Sequence, residues 1–216
     1  MKNWAIFSDF DGTITTTDVG NTMFSEFSNG RTKEVVERWR KGEITSKQCL
    51  EQECALSNAT WDDIYKYPET KEIDMTFISL YKNLKSSELD LYILSDGFGF
   101  YIRHILNRYS IFDVPFFSND MIITNGRLIP IFPYYGYGCG ECANCKRYHI
   151  KHLKGNRKAV YIGDGLSDKH VIEEANMVFA KDGLAKYCDE KRIKYNPFKN
   201  FKDIEIELKK KKDYIK

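Results

Sequence analysis

No apolar run in the 216-residue chain approaches the roughly 18 to 20 residues that a membrane span needs, so a spanning helix is not expected. An excess of charge of one sign is also missing: 33 basic residues against 31 acidic ones leave a net +2. That balance offers no electrostatic case for a nucleic-acid partner. The lysine run Lys209 to Lys212 reads as the solvated end of a helix. The first ten residues are unlike a secretory signal, because an apolar strand already begins by residue 4. The six cysteines (49, 54, 139, 142, 145 and 188) are therefore expected as thiols or metal ligands in a reducing cytoplasm. In that setting the glycosylation triplet Asn58-Ala59-Thr60 carries no meaning. Internal repeats and low-complexity linkers are absent too. What is present, 42% apolar and 30% charged residues, is ordinary globular material, enough for one domain with an inserted subdomain.

The most informative stretch is Phe7-Ser8-Asp9-Phe10-Asp11-Gly12-Thr13-Ile14-Thr15. Trp4 to Phe7 reads as a buried strand, and two carboxylates follow two residues apart where Gly12 lets the chain turn. A side-chain period of two puts Asp9 and Asp11 on one side while the backbone stays extended. Like charges at the end of a buried strand need compensation, and a divalent cation would supply it. A lone Asp-Gly would be an ordinary turn; the later motifs set this one apart.

From Thr16 to Lys71 the pattern is helical, with segments predicted near 18–27, 32–41, 45–56 and 61–67. Four short helices after the first strand read as an inserted cap. A helix over 75–84 and a strand over 89–94 ending in Ser95-Asp96-Gly97 follow, then a helix from Phe98 to Tyr109 whose aromatics read as core. Val114 to Phe117 reads as a third strand. Met121 to Thr124 and Arg127 to Phe132, around Asn125-Gly126, read as a hairpin. A helix to about Leu153 precedes a strand over 159–162 that ends in Gly163-Asp164-Gly165. A helix holding Val171, Ile172 and Ala175, a strand over 177–180, and two helical stretches around a short strand finish the chain. The β-α-β-α succession predicts an α/β, Rossmann-like parallel sheet with helices on both faces, plus the helical cap and a β-hairpin flap. The expected division is a core of 1–15 and 72–216 with a cap of 16–71.

Ligands in such folds bind beyond the carboxyl ends of the strands. Asp9-Phe10-Asp11-Gly12, Ser95-Asp96-Gly97 and Gly163-Asp164-Gly165-Leu166-Ser167-Asp168 would meet there, offering carboxylates for a hard metal, a hydroxyl, and close backbone approach at the glycines. A phosphate ester and magnesium need that combination. The DxDGT motif, the strand-end serine, a downstream lysine and GDGxSD, in this order over most of the chain, resemble the haloacid dehalogenase superfamily of aspartate-nucleophile phosphatases. The resemblance is to its phosphoserine-phosphatase-like branch with a helical cap after the first motif.

The resemblance implies that Asp9 attacks phosphorus and that Asp11 serves as acid and then base. It implies Mg2+ held by Asp9, the Asp11 carbonyl and Asp164, with Asp168 binding or orienting. Ser95 and the amides around Gly12 and Gly97 would grip phosphoryl oxygens, and a lysine would neutralise the remaining charge. Position favours Lys146 over Lys151 and Lys154 on the same predicted helix. Against the phosphoserine phosphatase pattern, Glu53 falls where a cap arginine would clamp a carboxylate substrate. Asp18, which could equally be a plain N-cap, and Asp96 add further acidity, which favours a cationic or neutral-polar leaving group.

The segment Cys139-Gly140-Glu141-Cys142-Ala143-Asn144-Cys145-Lys146 resembles two branches: phosphoethanolamine/phosphocholine phosphatases, and the methionine-salvage phosphatases acting on 2-hydroxy-3-keto-5-methylthiopentenyl-1-phosphate. The first is the favoured expectation. Cys139, Cys142 and Cys145 could bind zinc, with His149, His152 or Cys188 as a fourth ligand, or form a reduced thiol cluster beside the site. The expected partner is a small phosphate ester, with neither nucleic acid nor membrane, for a cytoplasmic monomer or homodimer. The rival from another class is a non-catalytic, zinc-dependent interaction module.

Overall fold

The computed structural model describes residues 3–87 and 89–210. Lys211 and Lys212 of the lysine run lie outside them. By its internal contacts the chain divides into two compact units: Met1–Thr16 with Ile73–Leu94 and Lys146–Lys216, and Thr17–Glu72 with Ser95–Cys145.

The first unit holds β1 (Trp4–Ser8), α5 (Met75–Ser86), the first half of β2 (Asp90–Phe98), α7 (Lys146–Leu153), β5 (Lys158–Gly163), β6 (Met177–Ala180), α8 (Asp182–Lys191), β7 (Asn196–Pro197) and α9 (Phe201–Lys210). Among the described residues its named strands pair in parallel, and one isolated antiparallel bridge joins Thr15 to Ile73. β1 pairs with β2 on one side (Ser8 opposite Ile93) and with β5 on the other (Ser8 opposite Ile162), and β6 and β7 follow beyond β5. Every residue of β1 is buried, as expected for the middle strand of a parallel sheet covered on both faces. The chain leaves β1 toward β2 on one side and later returns to β5 on the other. The carboxyl ends of β1 and β5 thus flank a topological switch point, where open α/β sheets bind ligands. On α5, capped by Asp74, the apolar residues Phe77, Leu80 and Leu84 recur at helical spacing and are buried. Phe77 meets Phe201 of α9 edge-on at 5.0 Å between ring centroids.

The second unit holds α1 (Val19–Phe27), α2 (Lys33–Arg40), α3 (Ser46–Leu56), α4 (Trp61–Lys66), the far half of β2, α6 (Gly99–Arg108), β3 (Phe116–Thr124) and β4 (Arg127–Ile131). Thr45 caps α3 through a capping box with Gln48, and Thr60 caps α4 with Asp63. Val35, Val36 and Cys49 form a small core between α2 and α3, flanked by Trp39, Ile44 and Leu56. β3 and β4 form an antiparallel hairpin in which Thr124 faces Arg127. Asn125 and Gly126 both have positive φ (50° and 73°), the conformation a two-residue hairpin loop of this kind requires. The strand order is β2-β1-β5-β6-β7 in the first unit and β4-β3-β2 in the second. The chain has the α/β, Rossmann-like fold that the alternation of elements predicts. Among the described residues no helix is long and apolar enough to cross a membrane.

Three expectations are corrected. β2 does not stop before Ser95-Asp96-Gly97 but runs on to Phe98. Asn119 of β3 donates to the Asp96 carbonyl at 2.6 Å, so that stretch stays extended beside a neighbouring strand. Val114–Phe117 is not a separate strand; its end belongs to β3. No α-helix holds Val171, Ile172 and Ala175. Two single 3₁₀ turns, Leu166–Asp168 and Ile172–Glu174, take its place. There the Asp168 carboxylate accepts from the amides of Asp164 and Gly165, a local bond that competes with regular helix. By their internal contacts, residues 95–145 group with 17–72. The Ser46 amide donates to the Glu141 carbonyl at 2.9 Å, and Lys47 lies over the rings of Phe132 and Tyr135.

Ile6 is wholly buried at the centre of β1. Ile6→Ala is expected to cost about 2 to 5 kcal/mol, read as a lowered urea midpoint with an unchanged slope.

Candidate active site

The reacting groups start where β1 runs out. Past Ser8 the Asp9 amide still donates to the Ile162 carbonyl of β5 at 2.8 Å, so Asp9 is held at the strand end. The chain then winds tightly around one acceptor: the amides of Ile14 and Thr15 reach the Phe10 carbonyl at 2.9 and 3.0 Å. Gly12 has φ +74°, and a Cβ there would sit 2.6 Å from Asp164 Oδ2. Both facts demand glycine. Asp164 follows directly on β5, and Thr13 Oγ1 donates to its Oδ1 at 2.6 Å. Gly163 is constrained in the same way, since a Cβ would lie 2.3 Å from Asp168 Oδ2.

Lys146 opens α7 and is buried. Its Nζ lies 2.7 Å from Asp9 Oδ1 and 2.6 Å from Asp168 Oδ1, with Ser167 Oγ at 3.4 Å. Lys151 and Lys154, the other candidates, pair instead with Glu174 at 3.1 and 3.3 Å. Asp168 is fully engaged: Oδ1 accepts from Lys146 and from the Tyr161 hydroxyl at 2.5 Å, and Oδ2 from the two backbone amides at 3.1 and 3.2 Å.

Burial holds the Asp9 carboxyl well above the usual carboxylate range; the charges of Asp168 and Asp164 push the same way and Lys146 opposes them. Burial first, then Asp168, lifts Asp164 to about 7, against the Thr13 hydrogen bond and the charges of Lys146 and Lys181. Carboxylate oxygens of Asp9, Asp164 and Asp168 lie within 4.8 Å of one another. An oxygen-only donor set whose members resist ionising together suits a hard divalent cation such as magnesium. With its oxygens already committed, Asp168 fits the role of orienting Lys146 and the loop better than that of a direct ligand. Asp11 is half-buried in the turn that precedes Gly12.

The remaining candidates belong to the second unit. Ser95 is buried, and its Oγ accepts from the Gly97 amide at 2.8 Å. Asp96 binds the Asn144 amide through Oδ1 at 2.9 Å. Asp18 is exposed and caps α1 through the Asn21 amide at 2.8 Å. Glu53 is buried on α3, with Cys49 Sγ 3.8 Å from its Oε2. Burial, with Asp18 adding, raises its carboxyl to about 8. The sulfurs of Cys139, Cys142 and Cys145 form a second group within 4.8 Å. Among the described residues that group has no further His, Cys, Asp or Glu ligand, so His149, His152 and Cys188 are not part of it. Two contributors were not anticipated. Tyr161 orients Asp168; a lone hydroxyl in the apolar run Ala159–Ile162 was the available signal. Asn144, wholly buried, donates through Nδ2 to the carbonyls of Ser95 and Phe117 at 2.8 and 2.9 Å; only its place among the cysteines marked it.

A parallel sheet with this carboxylate and lysine centre at its switch point defines a phosphatase of the haloacid dehalogenase superfamily, phosphoserine-phosphatase-like subclass. The chain belongs to the Putative Phosphatase family, whose model matches residues 4–198. It is 29% identical over 209 residues to the 2-hydroxy-3-keto-5-methylthiopentenyl-1-phosphate phosphatase of Bacillus cereus (strain ATCC 10987 / NRS 248), covering 94% of this chain and 95% of that one. Among solved structures it is similar to the phospho-aspartyl intermediate analogue of phosphoserine phosphatase, with TM-score 0.74, 19% identity, and 100% and 99% of the two chains covered. A substrate-bound phosphoserine phosphatase complex matches with TM-score 0.71, 16% identity and the same coverage. Membership of a phosphatase family sets aside the reading as a non-catalytic interaction module.

Between about pH 4.5 and about pH 8 the folded chain keeps a proton on Glu53 that the unfolded chain has lost, so this group's effect on stability becomes less favourable as pH rises through that window. Glu53→Gln cannot ionise. Its melting temperature relative to wild type is expected to rise across the window; an offset independent of pH would contradict the assignment.

Proposed function

We propose that this protein is a magnesium-dependent phosphomonoesterase working through an aspartyl-phosphate, and that its substrate is 2-hydroxy-3-keto-5-methylthiopentenyl-1-phosphate or a close, uncharged-tailed analogue. The contact of the buried Lys146 ammonium with Asp9 carries the reaction class: it favours the ionised nucleophile and supplies positive charge where phosphoryl oxygens would gather. An oxygen of Asp9 attacks phosphorus, the ester P–O bond breaks, and the Asp11 carboxyl gives its proton to the departing alkoxide. Asp11, now a carboxylate, takes a proton from water as the water oxygen attacks phosphorus. The bond from phosphorus to Asp9 breaks, and inorganic phosphate and free Asp9 result. Magnesium, bound by Asp9, Asp164 and the Asp11 carbonyl, would neutralise charge on the phosphoryl oxygens. Ser95 and the amides near Gly12 and Gly97 are assigned to grip those oxygens.

The substrate reading departs from the favoured expectation of phosphoethanolamine or phosphocholine. Each of the three acids expected to attract a cation has other work. Asp18 caps a helix, and Asp96 holds the Asn144 amide. Glu53, with its carboxyl raised to about 8, is largely neutral near pH 7 and can donate a hydrogen bond to a hydroxyl or keto oxygen. The similarity to the Bacillus cereus methionine-salvage enzyme points the same way. Residues 1–15 and 72–216 are assigned as catalytic core and 16–71 as cap, in a cytoplasmic monomer or homodimer that handles a diffusible metabolite without nucleic acid or membrane.

Asp9→Asn is expected to lower kcat for p-nitrophenyl phosphate by about three orders of magnitude or more, with the variant still folded by circular dichroism. Chelation should abolish wild-type turnover and added Mg2+ restore it. In a panel of small phosphate esters, kcat/KM for the keto-pentenyl phosphate should exceed that for phosphocholine and phosphoserine by at least about tenfold. A preference for phosphocholine would overturn the reading of Glu53.

A further inference from the structure

The second sulfur group lies outside the phosphoryl-transfer chemistry. Cys142 and Cys145 are buried and Cys139 is half-buried, so the cluster opens to solvent on one side. Cys139 and Cys142 sulfurs are 3.4 Å apart, far beyond a covalent disulfide, and all three sulfurs fall within 4.8 Å. Three thiolates on one tetrahedral zinc, each bond about 2.3 Å, would stand about 3.8 Å from one another, inside that spread.

The surrounding backbone is built closely around the cluster. A Cβ at Gly138 would lie 2.4 Å from Cys145 Cβ, so the chain passes Cys145 with no room for a side chain. Asn144, between Cys142 and Cys145, is anchored by three hydrogen bonds to Asp96, Ser95 and Phe117. Sulfur donors select a soft ion, unlike the oxygen donors of Asp9 and Asp164.

The geometry points to a structural zinc site formed by Cys139, Cys142 and Cys145, with solvent in the fourth position, that fixes the segment leading directly into Lys146. Cys145 is bonded to Lys146, the first residue of α7, so coordination at Cys145 sets the start of the helix that carries the buried ammonium. The site goes beyond the phosphatase reading and stands or falls separately from it.

Metal analysis of protein purified without added metal or chelator tests the site, alongside cobalt substitution read by absorbance. About one zinc per chain and an intense sulfur-to-cobalt charge-transfer band are expected, both lost in Cys142→Ser and retained in Cys54→Ser. Zinc removal should lower kcat at saturating Mg2+ at least about tenfold, with KM changing less, and zinc alone should restore it. If Cys142→Ser does not fold, X-ray absorption of the wild-type zinc protein decides, with three sulfur neighbours expected. Absence of bound zinc, a metal with only oxygen and nitrogen neighbours, or a Cys139–Cys142 disulfide in the native protein would overturn the proposal. Those metal readouts do not depend on phosphatase activity.

Discussion

One buried ammonium, Lys146 between Asp9 and Asp168, is the contact on which the catalytic unit depends. Without it, the carboxylates at the ends of β1 and β5 would face one another in a buried setting with only hydrogen bonds and the charge of Lys181 to oppose their repulsion. Much of the local sequence serves this arrangement. Gly12 and Gly163 are small because aspartate oxygens occupy the space a Cβ would need. Thr13 steadies Asp164, and Tyr161 with two backbone amides steadies Asp168. The sheet places the group where strand order reverses, and the burial and mutual repulsion that raise Asp9 and Asp164 suit it to a divalent cation.

The catalytic motifs were legible because their spacing is set by local backbone geometry: a strand, two carboxylates, and a glycine with positive φ can be read in order. Lys146 was readable by position, and the pairing of Lys151 and Lys154 with Glu174 shows why position discriminates. What local pattern could not reveal were features set by distant neighbours. β2 outruns its apolar stretch because β3 hydrogen-bonds to it, and the segment after Asp164 forms 3₁₀ turns because a side chain takes its amides. The grouping of 95–145 with 17–72 depends on α3 packing beside β4 and on the bond from Ser46 to Glu141, partners 95 positions apart in sequence.

Acidity alone is a weak guide to the substrate. Asp18, Glu53 and Asp96 look like a cation trap in sequence, where every carboxylate counts as a charge. In the folded chain one caps a helix, one binds a backbone amide, and the third is neutral near pH 7. A neutral acid discriminates by hydrogen bonding, which suits a hydroxylated, ketonic tail better than a quaternary amine. Among the described residues, sulfur and oxygen donors fall into two separate clusters, Cys139, Cys142 and Cys145 in one and Asp9, Asp164 and Asp168 in the other.

The central claim is that Asp9 becomes covalently phosphorylated. Acid quench of the enzyme during turnover, followed by peptide mass spectrometry, addresses it directly. A phosphoryl group located on Asp9, appearing with substrate and Mg2+ and disappearing once substrate is exhausted, is the predicted result. A phosphoryl group on any other side chain would contradict the account, as would transfer to water with inversion of configuration at phosphorus.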